Sequence, residues 1–317
     1  MRDSHGREID YLRISLTERC NMRCIYCMPD WGCEEKTAYE MTEDEVLETV
    51  DIFRKLGIKK VRFTGGEPLL RKDLEEIIGR VNKFPEIEEI CLTTNGLLLA
   101  QRGETLAKCG LTRVNVSLDT VDQEEYRRIT RGGNLHGVLE GIDKCKLLGL
   151  KIKINSVITN ILNEESVLKL AQYSLENDVD LRFIELMPIG FGKTLKGFQG
   201  EEILGILRKK YELEDLSIFE GTSRYFSVKG YRSRIGFINP MSQCFCKSCN
   251  RVRVTSEGAM KRCLSADDKM NLREIYGDKL TIDEKIEYIK EYLYNKNQEN
   301  KFYKEESIKN TMNEIGG

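Results

Sequence analysis

The sequence predicts an α/β protein, a partial (β/α)6 barrel of the TIM type with an extension at its carboxyl end. Strand-like and helix-like segments alternate from residue 10 to about residue 210, which argues a parallel sheet covered by crossover helices. Two tight cysteine groups, Cys20/Cys24/Cys27 and Cys246/Cys249/Cys263, mark the start of that run and the region beyond it. A chain of 317 residues exceeds the usual single domain, so it is divided here into a body over 1–210 and a second unit over 211–317.

Asp10 to Leu16 reads as the first strand. Thr42-Glu43-Asp44-Glu45 is a capping box opening a helix with Val46, Leu47, Val50, Phe53 and Leu56 on one face, and Gly57 ends it. Lys60 to Thr64 is the second strand, followed by the turn Gly65-Gly66-Glu67-Pro68 and a helix over Asp73 to Lys83. The third unit is strand Glu89 to Thr94, turn Asn95-Gly96 and a helix near Glu104 to Lys108. Strand Arg113 to Leu118 precedes two short helices, near Gln123 to Arg128 and Val138 to Leu148. Lys151 to Ile158 leads to a helix over Glu164 to Glu176, and strand Asp180 to Leu186 ends at Met187-Pro188. Six such units are fewer than a closed barrel of eight. Right-handed crossovers set every strand's carboxyl end at one rim, where the active sites of such barrels lie. Beyond the connector Gly190 to Gly200 come a helix over Ile203 to Tyr211, short strands at Tyr225 to Lys229 and Arg234 to Ile238, and a charged helical segment from Ile282 to Lys296.

Composition narrows the function. Hydrophobic residues make up 40% and charged residues 32% of the chain, enough to bury a real core. A net charge of −2 and a pI near 6.0 give no overall pull toward nucleic acid or an anionic membrane. No apolar run reaches the ~18 residues of a membrane span, and Met1 to Asp10 lacks a secretory pattern, so a cytoplasmic protein is expected. Eleven cysteines, an odd number, suit a reducing compartment.

Within Arg19-Cys20-Asn21-Met22-Arg23-Cys24-Ile25-Tyr26-Cys27 the cysteines form a C-x3-C-x2-C loop. Three thiolates this close read as metal or cluster ligands, and a four-iron cluster held by three of them keeps one iron open for an outside ligand. A zinc knuckle completed by Cys33 stays open at this point. Cys246 and Cys249, with Cys263 further on, offer a second set of three; Cys244 would close it as a four-cysteine zinc site. Cys145 shares an apolar helical face with Val138, Ile142 and Leu148 and reads as core. Cys91 and Cys109 have no partner nearby in sequence. His5 and His136 are too scattered for a metal site, and neither a Ser/His/Asp nucleophile pattern nor a P-loop is present.

The first cysteine loop resembles the signature of the radical S-adenosylmethionine (SAM) superfamily, and Gly65-Gly66-Glu67-Pro68 resembles that superfamily's glycine-rich turn. The run Phe245-Cys246-x-x-Cys249-Asn250-Arg251-x-Arg253-x-Thr255, with Gly258 and Cys263-Leu264, closely resembles the carboxyl-terminal cluster region of the GTP 3′,8-cyclase family. Asp10 to Ser15, Arg62 to Leu69, Thr93 to Gly96, Val116 to Asp119, Lys153 to Asn155, Arg182 to Pro188 and Gly316-Gly317 extend the likeness over nearly the whole chain. Cys244, and Ser265 after Cys263-Leu264, depart from the family pattern.

The resemblance implies two 4Fe-4S clusters, held by Cys20, Cys24 and Cys27 and by Cys246, Cys249 and Cys263, with SAM as cofactor. It places SAM contacts at Tyr26, Gly66, Glu67, Ser117 and Met187. GTP contacts fall at Arg13, Arg62, Thr93, Lys153, Arg182, Arg251 and Arg253, with Arg13 also counted with the three cysteines as catalytic. The implied reaction cyclises GTP to 3′,8-cyclo-7,8-dihydro-GTP, the first step of molybdenum cofactor biosynthesis. Implied partners are a downstream cyclic pyranopterin monophosphate synthase, an electron donor such as flavodoxin or ferredoxin, and a second copy in a homodimer. Alternatives kept at this point are a radical SAM enzyme that modifies peptides or proteins with an auxiliary cluster, and a non-catalytic zinc or iron–sulfur module.

Overall fold

The computed structural model of the protein describes residues 1–28, 39–266, 268–277, 279–300, 302 and 311–316. Cys33 and Gly317 lie outside the described residues. The alternation is present: β1 (Tyr11–Ser15), α1 (Glu43–Lys55), β2 (Lys60–Thr64), α2 (Leu74–Val81), β3 (Glu89–Thr94), α3 (Leu99–Lys108), β4 (Arg113–Ser117), α4 (Gln123–Thr130), α5 (Leu135–Leu147), β5 (Lys151–Ile158), α6 (Glu164–Glu176) and β6 (Asp180–Glu185). Neighbours from β1 to β6 pair in parallel, in chain order. These strands are buried on both faces: Val61 and Phe63 on β2 and Ile90 and Leu92 on β3 join the core under the helices, while polar residues such as Arg62, Thr64 and Asn115 face the barrel interior. Thr42 and Glu45 cap α1 reciprocally, and α1 lays Val46, Val50 and Phe53 into the core.

Beyond α7 (Gly200–Arg208) the chain adds β7 (Leu213–Glu220), β8 (Ser223–Val228), β9 (Ile235–Ile238), β10 (Arg251–Val254), β11 (Ala259–Lys261), β12 (Met270–Asn271) and α8 (Ile282–Tyr294). These strands build no separate sheet. β9 pairs in parallel with β6, β10 pairs in parallel with β1, and the single sheet runs β12-β11-β10-β1-β2-β3-β4-β5-β6-β9-β8-β7. The region after residue 210 therefore lengthens the barrel wall at both of its edges.

Several boundaries differ from those read in the sequence. α3 starts at Leu99 rather than Glu104, because Gly103 does not break the helix. It lets α3 close on α5, and an added Cβ there would lie 2.7 Å from Cys145 Sγ. α5 starts at Leu135, where the Asn134 side chain accepts from the Gly137 amide. β7 went unread because its outer edge leaves Glu214, Asp215 and Phe219 exposed, without the alternation of a half-buried strand. No helix among the described residues is long and apolar enough to cross a membrane.

Candidate active site

The cysteine loop leaves the end of β1 and is tied down on two sides. Arg23 and Ile25 donate backbone bonds to the carbonyls of Thr130 (3.1 Å) and Ile129 (3.0 Å) at the end of α4. On the other side the glycine turn meets it backbone to backbone: Gly66 N donates to Thr17 O (2.7 Å) and Glu67 N to Arg19 O (2.8 Å). A Cβ on Gly66 would stand 2.4 Å from Arg19 O, so glycine is required by close approach. The two amides are spent on the loop, which leaves the turn's Cα atoms and carbonyls for whatever lies beside it.

Glu67 sits inside that turn and off the cavity wall. Its carboxylate accepts from Leu69 N (2.9 Å), Thr94 Oγ1 (2.7 Å) and Asn95 N (2.8 Å), while burial pushes it up to about 7. In this structure it fixes the turn and the β3 end. Tyr26, between Cys24 and Cys27, donates its hydroxyl to Asp119 Oδ2 (2.7 Å), and Asp119 Oδ1 accepts from Val157 N (2.7 Å). Asn95 Nδ2 bonds Asn21 Oδ1 (2.7 Å) and lies 3.9 Å from Cys20 Sγ, which also accepts from Met22 N (3.4 Å). Asp119 and Asn95 were not among the residues singled out, although both stand in motifs quoted from the sequence.

All six cysteines of the two groups line one cavity of about 630 Å³ that runs through the barrel, from the first group beyond the carboxyl end of β1 to the second group beside the amino end of β10. Tyr26, Gly66, Ser117 and Met187 line it near the first group, and Arg13, Arg62, Thr93, Arg182, Arg251 and Arg253 complete its wall. Strand register explains the wall. β10 lies beside β1 with Arg253 opposite Arg13 and Arg251 opposite Tyr11, and Arg13 is opposite Arg62 on β2. A parallel sheet thus sets Arg253, Arg13 and Arg62 side by side, an arrangement that repels itself unless an anion lies over it.

The electrostatics record that repulsion. Burial, then Arg253, holds Arg13 well below its usual value, and burial with Arg251 brings Arg253 down to about 10. Arg62 donates Nη1 to Leu92 O (2.9 Å) and Thr93 Oγ1 (3.2 Å), and its Nε to the Tyr11 hydroxyl. Nε and Nη2 of Arg182, Nε of Arg251, and Oδ1 of Asn115 and Asn155 are buried without a hydrogen-bond partner. Orphaned donors beside orphaned acceptors suit a ligand with both phosphate-like and hydroxyl-like groups.

Lys153 stands apart. It is absent from the cavity wall, and its Nζ is held by Glu220 (2.7 Å), Tyr225 Oη (2.9 Å) and Asp180 (3.1 Å). Residues missed by sequence reasoning include Tyr11, Lys60 and Lys296. Lys296, two residues past the end of α8, gave no signal.

Burial, then Cys27, pushes the Cys24 thiol well above its ordinary value, and burial brings Cys20 up to about 11. Clustered buried thiols resist ionisation until a cation shares their charge. At the second group burial acts on Cys249 too, yet Lys296, Arg251 and Arg253 outweigh it and bring it below the usual thiol value. Each group presents three cysteine sulfurs to the same cavity, a donor set that suits an iron–sulfur cluster with one iron left open. Cys244 is exposed and off the cavity wall, bonded by Asn300 Nδ2 at 3.5 Å, and Ser265 bonds Cys263 at 3.3 Å.

Comparison with known proteins gives the following. The family model "Radical SAM superfamily" matches residues 14–173, and "Molybdenum Cofactor Synthesis C" matches residues 179–302. A GTP 3′,8-cyclase of Clostridium perfringens (strain 13 / Type A) is 48% identical over 326 residues, covering 100% of each chain. One from Clostridium botulinum (strain Hall) is 40% identical over 324 residues, again covering 100% of each. One from Listeria monocytogenes (strain EGD-e) is 42% identical, covering 88% of this chain and 86% of its own. Among solved structures, Streptococcus suis SuiB bound to S-adenosylmethionine shares the fold at a TM-score of 0.62 and 16% identity, over 85% of this chain. The chain spans 63% of SuiB's length.

Proposed function

The chain belongs to the GTP 3′,8-cyclase family of radical SAM enzymes, and on that premise we propose how its residues divide the work. Its reaction is the cyclisation of GTP to 3′,8-cyclo-7,8-dihydro-GTP, the first step of molybdenum cofactor biosynthesis, and its cofactors are 4Fe-4S clusters and SAM. A cluster held by Cys20, Cys24 and Cys27 would supply the electron that splits SAM into methionine and a 5′-deoxyadenosyl radical able to take the C3′ hydrogen of GTP, and closure of C3′ on C8 would then need one further electron and a proton to give the dihydro product.

Cys20, Cys24 and Cys27 would hold the first cluster; Cys246, Cys249 and Cys263 would hold the second, beside the guanine. Tyr26, anchored by Asp119, and Gly66, Ser117 and Met187 would line the SAM position, with Glu67 fixing the glycine turn behind it. Arg13, Arg62, Thr93, Arg182, Arg251 and Arg253 would take the triphosphate, with Lys153 joining when released. Guanidinium forks match phosphate oxygens in pairs, and Arg182 has two N–H groups aimed at no protein acceptor. The barrel contributes position and dryness: a radical must form within contact of one C–H bond, away from solvent. Residues 1–210 act as the radical SAM barrel, and 211–317 bring the second cluster to its edge.

The observation that carries this reading is the meeting of both cysteine groups and the arginine wall in one cavity. It favours a nucleotide over the alternative of a peptide- or protein-modifying enzyme, since a row of buried arginines suits a polyphosphate and the likeness to SuiB is one of fold. Incubating reconstituted protein anaerobically with GTP, SAM and a reductant is expected to give 5′-deoxyadenosine and a cyclised GTP; deoxyadenosine without any GTP-derived product would overturn the substrate. We also propose a downstream cyclic pyranopterin monophosphate synthase to take the product, flavodoxin or ferredoxin to supply the electron, a cytoplasmic location, and a homodimer.

A further inference from the structure

The tip of the β7–β8 hairpin reaches into the arginine wall from the far edge of the sheet. Glu220, the last residue of β7, and Gly221 line the cavity. Glu220 Oε2 accepts from Lys153 Nζ at 2.7 Å and Oε1 from Arg234 Nη1 at 2.6 Å. In the turn itself, the Thr222 hydroxyl accepts from Arg251 Nη2 at 2.8 Å. The tip therefore touches two cations, Arg251 of β10 on the cavity wall and Lys153 of β5 behind it, and nothing in the radical chemistry calls for a carboxylate there.

The hairpin is built so that its tip can move. β7 is an outer edge strand, paired only with β8 and exposed along most of its length. Its ladder shifts register between Asp215 and Phe219, and Ser217 has a left-handed φ of 52°. A bulge re-aims the residues after it, here turning Glu220 toward Lys153, and the exposure of β7 keeps local opening on its side of the hairpin inexpensive, while buried Thr222 and Ser223 anchor the other side. Lys153 is not orphaned when Glu220 leaves, because Asp180 remains 3.1 Å away; Arg234 likewise keeps Asp180 at 2.7 Å.

We propose that Glu220 is a stand-in anion for the nucleotide's phosphate: it occupies Lys153 until a phosphate oxygen takes its place and the hairpin tip withdraws. The inference rests on the functional reading above, in which Lys153 is a triphosphate contact. Glu220 is a specificity residue on this account, because only a ligand carrying enough negative charge displaces it, and a wall of cations with a built-in competitor admits fewer stray anions.

The test is GTP binding to the anaerobic holoenzyme, by equilibrium dialysis, in a double-mutant cycle. Glu220→Gln is expected to bind GTP about fivefold more tightly than the wild type, the size of one partly exposed ion pair, and Glu220→Ala should show the same gain. Introduced into Lys153→Gln protein, Glu220→Gln should gain nothing, since Lys153, the cation that phosphate would take over, is gone while Arg234 stays with Asp180. Melting temperatures and circular dichroism show whether each variant is folded. Folded Glu220→Gln and Glu220→Ala proteins with unchanged or weaker GTP binding would overturn the inference, as would a gain that persists without Lys153. Wild-type holoenzyme that fails to bind GTP at all overturns the functional reading instead.

Discussion

Tyr11 shows how much of the site's behaviour resides in one side chain. Its ring lies 5.7 Å from the Arg251 guanidinium and 5.1 Å from Lys60 Nζ, and its hydroxyl accepts from Arg62. Burial raises the phenol's pKa and Cys91 adds to that, yet Arg62, Arg13 and Arg251 bring it down to about 8. Above that pH the phenol is ionised and its negative charge opposes phosphate at Arg62; below it the arginines act unopposed. The terminal phosphate, with a second pKa of about 6, is already ionised there. GTP affinity is therefore expected to fall about three- to tenfold as pH rises through that value, and Tyr11→Phe should flatten the fall. An equally steep fall in the variant would assign it elsewhere. Arg13, Arg62 and Arg182 were legible as functional because charge on a barrel strand is out of place. Tyr11 was not, since an aromatic residue at a strand start reads as core until its neighbours on another strand are known.

The Gly65-Gly66 turn shows why an element can be conspicuous in sequence while its purpose is not. Glycine there reads as room for a cofactor, and the structure adds that its backbone is packed against Thr17 and Arg19. Gly66→Ala is expected to push the cysteine loop outward, lowering stability by about 1–3 kcal/mol as overpacking does and reducing the iron retained at the first site. Denaturant unfolding and iron analysis measure both, and wild-type values for the two would refute the steric account. α1 was readable because Thr42 and Glu45 mark its start. β10 was readable only as a pair of alternating arginines, and its place beside β1 follows from a long-range pairing that no local pattern encodes.

The cavity as a whole brings two cysteine groups from opposite ends of the chain to one space, and the two should fail differently. A loaded wild-type chain is expected to carry about eight irons, as two four-iron clusters require. Cys24→Ala should abolish reductive cleavage of SAM. Cys249→Ala should still form some 5′-deoxyadenosine yet lose the cyclised product. Normal product from Cys249→Ala would make the second group structural, and full turnover by Cys24→Ala would remove the first from the chemistry. Both groups and the strand–helix alternation were legible in the sequence. What was not legible is that the later region completes the barrel wall on both flanks, because β9 and β10 are short, each four residues, and find their partners only in the finished sheet.

That placement of β10 also sets a clock on biosynthesis. β1 pairs with β2 on one side and with β10 on the other, so while the ribosome is still making the middle of the chain, the strand that carries Tyr11 and Arg13 has a bare edge. Bare edges recruit other strands, and pairings between distant segments form late. The nascent protein thus depends on its final segment to seal the strand it made first, and a ribosome that stalls short of residue 251 leaves behind a product prone to aggregate rather than a half-active enzyme.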